Sequence, residues 1–391
     1  MRTRRRRLAP LALVMPLVLL VSACASHAPQ TTLEPKGPIA RSIDNLFNGV
    51  FLVAVFVFFF VELGVLFLVL KFRQRKDDPD PDALPPQTHG NFRLEITWTI
   101  IPAVMLALVG FATLTTLFNI NRRDENAMTV RVTGQQWFWE YSYDTNGDGK
   151  YTDGDVITAN DLVIPAGQDI NLDIRSNDVI HSYWIPALNG KKDAVPGHQT
   201  PLRINADKPG VYVGQCTEFC GLSHGYMRQR VVAMSQGDFD AWLDNQKKDA
   251  EMPSSGDAAA GAKLFATQCS GCHLAKGIND AEFAKQGHGK DFLVSGNAPD
   301  LTHFATRGVF AGSIFDLWQD TDHDGVVEAD EIGGTLNRGD LEAWLRDPPA
   351  RKPMDAPALP ERGQGKIRGM PDLGLQEEQI DQLVAFLQTL D

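Results

Sequence analysis

A chain of 391 residues is too long for one ordinary soluble domain, so two or three units are expected. Its 49 acidic and 37 basic side chains leave a formal charge of −12, which offers no basis for binding nucleic acid. The hydrophobic share of 43% is ordinary as an average but very unevenly spread.

The chain opens "MRTRRRRLAPLALVMPLVLLVSACAS", an arginine-rich start, a short apolar core and small residues before Cys24. This reads as an export signal over residues 1–23, and "VSAC" resembles a lipoprotein cleavage box that would leave Cys24 as a lipidated N-terminus. Two longer apolar runs follow, 46–72 and 96–120, each sufficient for the roughly 20 residues that cross a bilayer. Residues 40–121 are therefore expected to form a transmembrane helical hairpin. The loop between the runs carries Lys71, Arg73, Arg75, Lys76 and Arg93, which puts it on the inner side and everything after about 121 outside. Glu62, within the first run, is costly in lipid and should face another subunit.

From 125 to 245 the pattern changes to alternation. "MTVRVTGQQWFWEYSY", "LVIPAGQDINLDIRS", "GVYVGQC" and "RQRVVAMS" read as strands of a Greek-key sandwich. On its expected end loops lie His181, in "NDVIHSYWIPAL", and "QCTEFCGLSH", with Cys216, Cys220 and His224 followed by Met227. Two thiolates and two imidazoles are a soft donor set that suits copper better than oxygen-seeking cations. A structural zinc site or a redox dithiol would use part of the same set, and spacing alone leaves these open.

Residues 246–255 are polar and read as a linker, and 256–391 as a further domain. It begins with a helical pattern and then "CSGCH", the C-x-x-C-H pattern of covalent haem c attachment through Cys269 and Cys272, with His273 on the iron. Such domains resemble class I cytochromes c, whose other axial ligand is a methionine shortly before the last helix. Met370, in "IRGMPDLG", fits this better than Met354, in "RKPMDAP". "GNAPDLTHFATR", 296–307, resembles the segment such domains lay against the haem. Most of the chain's acidic excess falls in this domain, an arrangement that would attract a basic donor.

Two acidic loops stand apart from that pattern. "DTDHDGVVEADE" matches the twelve-residue calcium loop, with oxygens from Asp320, Asp322, Asp324, the Val326 carbonyl and Glu331. "DTNGDGKYTDGD", 144–155, repeats it loosely and suits a plain hairpin turn equally well.

From about residue 40 to 245 the chain resembles subunit II of haem-copper cytochrome c oxidases, and from 256 onward the cytochrome c domain fused to it in caa-type oxidases. The segments that carry this are "LEITWTIIPA", "GQQWFWEYSY", "DVIHSYWIPAL", "KKDAVPG" and "CTEFCGLSHGYM". The resemblance implies a multidomain chain of transmembrane hairpin, cupredoxin-like β-sandwich and all-α class I cytochrome c domain, in a bacterial inner membrane with both outer domains on the periplasmic side. It implies a binuclear copper A centre bridged by Cys216 and Cys220 and capped by His181 and His224. Met227 and the Glu218 carbonyl would be weak ligands, and the Glu218 carboxylate would reach a magnesium ion shared with subunit I. Trp137 corresponds to the electron-entry residue and Glu95 to the carboxylate at a proton-path entrance. Asp178 and Asp193 would support the site or an interface, and His198 departs from the usual residue after "AVPG". The function implied is electron entry into a proton-pumping oxidase whose dioxygen chemistry lies in subunit I. Partners would include subunit I, subunit III and a cytochrome c or other donor. A copper A-containing nitric oxide reductase is the alternative.

Overall fold

The computed structural model describes residues 29–73, 89–149, 151, 155–285, 298–354 and 369–391. The export signal, Cys24, Arg75, Lys76 and parts of the 144–155 and 296–307 segments lie outside the described residues.

Two long helices come first, α1 (Pro38–Phe72) and α2 (Phe92–Ile120), packed against each other. Both are long and apolar enough to cross a membrane, and their large side chains point outward, as a lipid or partner-facing surface requires. They begin earlier than the apolar runs predict. Pro38 supplies the fixed φ that suits a first helical turn, and the Asn91 side chain accepts the amides of Arg93 and Leu94. A first-turn proline in α1 and a polar cap in α2 carry the helices beyond their apolar stretches, which hydropathy alone does not register.

The outer unit holds ten strands among the described residues. β1 (Thr129–Gln135), β2 (Phe138–Tyr143), β3 (Val156–Ala159), β5 (Ile170–Ser176) and β8 (Thr200–Ile204) form a five-stranded sheet in the order β3-β2-β1-β5-β8. β4 (Asp161–Pro165), β9 (Gly210–Gln215) and β10 (Arg228–Met234) form a second sheet, β4-β10-β9. The short β6 (His181–Tyr183) and β7 (Lys192–Ala194) pair apart. Val130, Val132, Trp139, Tyr141, Leu172 and Ile174 from the first sheet share one core with Leu162, Ile164 and Val231 from the second. Each such side chain contributes about 1.5–3 kcal/mol by leaving water. The helix α3 (Gln236–Gln246) closes the unit by setting Trp242 edge-on to Tyr143.

The C-terminal unit has its own core. Its helices are α4 (Gly256–Gln268), α5 (Asp280–Ala284), α6 (Arg338–Arg346), α7 (Pro348–Arg351) and α8 (Glu377–Leu387). α4 crosses α8 at Gly261, where a Cβ would strike the Gln382 carbonyl, and Phe265 packs on Phe386 with ring centroids 5.3 Å apart. The unit is not purely helical. Between Arg307 and Asn337 the chain turns back through a small ladder of β11 (Val309–Phe310) and β12 (Phe315–Asp316). At its tip, Ala311, Gly312 and Ser313 all have left-handed backbone, with φ of 54°, 81° and 58°.

Candidate metal centre

β2 and β6 set the floor of the site. Trp139 lies edge-on to both His181 and Tyr183, with centroids 5.8 and 5.0 Å away, so the imidazole rests on a rigid aromatic layer. Gly134 leaves room for this ring, since a Cβ there would lie 2.9 Å from His181 Cδ2. The loop from β9 to β10 supplies the other donors, ending in a 3-10 turn, His224–Tyr226, and Met227.

These donors converge on one small volume. His181 Nδ1 lies 3.9 Å from Cys216 Sγ, and the two sulfurs are 3.8 Å apart. His224 Nδ1 lies 3.6 Å and Met227 Sδ 3.9 Å from Cys220 Sγ, and the Glu218 carbonyl is 3.3 Å from Cys216 Sγ. His181, Cys216, Cys220 and Met227 are buried, while the Glu218 carboxylate faces solvent. The contact with Cys220, with help from His181, holds the Cys216 thiol well below its ordinary range, to about 4, despite burial. The same contact and burial push Cys220 up. The pair therefore favours one thiolate even without a metal, and thiolates are what a soft metal binds.

Orientation comes from Asp178. Its carboxylate sits 2.9 Å from His181 Nε2 and accepts the Gln136 amide at 2.8 Å, so the ring presents Nδ1 to the sulfurs. Burial opposes both charges, yet the His181 contact leads those that hold Asp178 below the usual carboxylate range. The hydrogen bonds to Asp178 and Cys216 outweigh burial and hold His181 above the ordinary imidazole value. Gln136 Nε2 and Trp137 Nε1 both donate to the Cys220 carbonyl, at 2.6 and 3.1 Å, which connects Trp137 directly to the ligand loop. Only 4% of Trp137 is exposed. Asp193 and His198 are exposed on or after β7 and outside this cluster.

A second donor group lies in the C-terminal unit. Cys269 and Cys272 are half-buried thiols just after α4 that form no disulfide, and burial raises Cys269 to about 12. His273 Nδ1 donates to the Pro299 carbonyl at 2.8 Å, which leaves Nε2 as the free nitrogen. Burial pushes His273 down to about 4, so this nitrogen is neutral and able to ligate. Asp300 Oδ2 and Arg307 Nε are buried without partners among the described residues. Met370 packs on the core of this unit, whereas Met354 packs on the core of the sandwich.

The 320–331 loop gathers Asp320, Asp322 and Asp324 within ligand distance of one another. Their carboxylates accept amides inside the loop, from His323 and Gly325 to Asp320 and from Val326 to Asp324. Glu331 accepts the amides of Thr321 and Glu328. Glu95 occupies the first turn of α2, and Glu62 is exposed along α1.

Sequence reasoning missed Gln136 and Ser223, chain neighbours of Trp137 and His224, and Arg230 and Lys352, whose partners lie far away in the chain. The peptide bond between Gln136 and Trp137 is cis.

Residues 128–234 match the family model for the periplasmic domain of cytochrome c oxidase subunit II, and 29–116 match that for its transmembrane domain. The chain is 32% identical to cytochrome c oxidase subunit 2 of Alkalihalophilus pseudofirmus, over 96% of this chain and 94% of that protein. It is 30% identical to the same subunit of Bacillus sp. strain PS3, over 82% and 80%. Among solved structures, the periplasmic domain of subunit II of cytochrome oxidase from Bradyrhizobium japonicum is 27% identical, covering 32% of this chain and 96% of that one, with a TM-score of 0.29. The chain belongs to the cytochrome c oxidase subunit II family, whose members are parts of membrane-bound haem-copper oxidase complexes.

Proposed function

We propose that this chain is the electron-entry subunit of its oxidase, passing electrons from a covalent haem c in its own C-terminal unit to a copper A centre and on to subunit I. The convergence of two sulfurs, two imidazole Nδ1 atoms, a thioether and a carbonyl carries this reading. The family implies a copper A centre, and this donor set fits one. His181, Cys216, Cys220, His224 and Met227 would hold it, with the Glu218 carbonyl. Bound copper supplies reversible one-electron chemistry there. The rigid aromatic floor and Asp178 keep the ligands from moving between oxidation states, and Trp137 offers a hydrogen-bonded route into the loop.

Haem c fits the C-terminal unit for comparable reasons. Cys269 and Cys272 would attach it, His273 Nε2 and Met370 would ligate the iron, and the buried Arg307 Nε and Asp300 Oδ2, without partners among the described residues, would be polar atoms for it to satisfy. The exposed Glu218 carboxylate would share a magnesium ion with subunit I, and Glu95 would stand at a proton-path entrance on the inner side. Subunit III and a basic cytochrome c would complete the partners, the latter drawn by the acidic C-terminal unit. The outer units would form a cupredoxin-like copper domain, 125–245, and a cytochrome c domain, 256–391, joined by the 246–255 linker, with Cys24 as a lipid anchor.

Spectra and metal analysis of the purified oxidase test this. Wild type should show a near-infrared copper band that Cys216→Ser abolishes, and covalent haem on this chain that Cys272→Ala reduces. Zinc in place of copper would overturn the copper centre, and a chain without covalent haem would overturn the donor. The 320–331 loop would bind calcium through Asp320, Asp322, Asp324, Val326 and Glu331. Calorimetric titration of the full chain should give heat that Asp320→Ala removes; no heat at millimolar calcium would rule it out.

A further inference from the structure

Several contacts between the C-terminal unit and the sandwich fall on the ligand loop and its tryptophan. Lys352, just after α7, is 3% exposed, and its ammonium donates to the carbonyls of Trp137 and Ala311, each at 2.8 Å. The next residue, Pro353, accepts a hydrogen bond from the hydroxyl of Ser223, which precedes His224. Met354 then packs on the sandwich core while abutting Gly369, the neighbour of Met370. The left-handed tip of the small ladder meets the same place. The Gly312 carbonyl accepts the Arg228 amide at 2.9 Å, and a Cβ on Gly312 would come within 2.5 Å of Lys352 Nζ and 2.7 Å of the Trp137 carbonyl. Left-handed backbone at two non-glycine residues costs energy and persists only where surrounding contacts hold it. Burial pulls the Lys352 ammonium down to about 7, so it persists there only where its hydrogen bonds are met.

We propose that Lys352 is a positioning residue that locks the C-terminal unit in one register over Trp137, so that this unit, rather than a donor from solution, occupies the face above the tryptophan. The proposal rests on the electron-entry reading for its consequence but not for its geometry. An external donor then reduces the C-terminal unit and never reaches Trp137. Met354 and Pro353 form the packed bridge between the loop that bears Met370 and the loop that bears His224.

The test uses the full chain in the assembled oxidase. In wild type, amine acylation should label Lys352 at least tenfold more slowly than the exposed Lys247; equal rates would overturn the proposal without any variant. Lys352→Met should raise hydrogen exchange at the Arg228 amide at least tenfold while the copper band stays intact, and Gly312→Ala should do the same. With reduced soluble cytochrome c as donor, Lys352→Met should lower kcat several-fold and leave KM unchanged. Unchanged exchange in both variants, or an unchanged kcat, would refute the lock. Absence of covalent haem in wild type would instead remove the electron-entry reading, with the labelling and exchange results still deciding the register.

Discussion

Arg230 and Asp161 pair at 2.8 Å, with 5% and 4% of their side chains exposed. Asp161 also accepts the Gly308 amide at 2.8 Å, and Arg230 donates to the Val327 carbonyl at 2.9 Å, so one ion pair serves both units. Removing one partner of a buried pair strands the other, at about 3–5 kcal/mol. Arg230→Met should therefore lower stability by that order in urea unfolding, whereas Arg338→Ala, in an exposed pair, should cost less than about 1 kcal/mol. The candidate donors were legible as a group, because Cys216, Cys220, His224 and Met227 fall within one short loop and His181 opens a short strand that the fold brings to it. Lys352 was not. Its partner lies 215 positions away, and a lysine read in sequence is a solvated charge until the fold encloses it.

Among the elements, the α4–α8 crossing is the most constrained. Gly261 allows the helices to touch backbone to backbone, so Gly261→Ala forces them apart and should destabilise the C-terminal unit by about 1–3 kcal/mol. Thermal melting should show that loss while the near-infrared copper band remains. Strands β1, β2, β4, β5, β9 and β10 were legible from their alternating or β-branched runs, although the fold buries β2 and most of β5 and β10 on both faces. β6 and β7 have three residues each, too short for any period, and are held instead by the His181 to Ala194 pairing beside the site. The β11–β12 ladder escaped notice for a related reason: its turn depends on left-handed residues whose side chains do not announce them.

At the scale of the whole molecule, the membrane hairpin is tied to the outer unit at both ends. Arg41 of α1 pairs with Asp207, and Arg203 bridges Asp169 and the Asn119 carbonyl at the end of α2. The Arg41 hydrogen bond holds Asp207 below its usual 3.8, so this contribution is complete above that value and is lost as pH falls through the lower folded one. The pair is partly exposed, so solvent screening keeps its contribution small. Hydrogen-exchange protection around 36–41, corrected for the intrinsic pH dependence of amide exchange, should fall below pH 4 and stay level from pH 5 to 8. The buried Arg230–Asp161 pair has a different consequence, concerning ionic strength. Mobile ions screen exposed charges over about 8 Å at 0.15 M but act much less on charges enclosed by protein. If the proposed basic donor docks on the acidic C-terminal unit, salt should slow that encounter, yet leave the seating of the unit on the sandwich unchanged. The dependence on salt would stop at the outer surface of the chain.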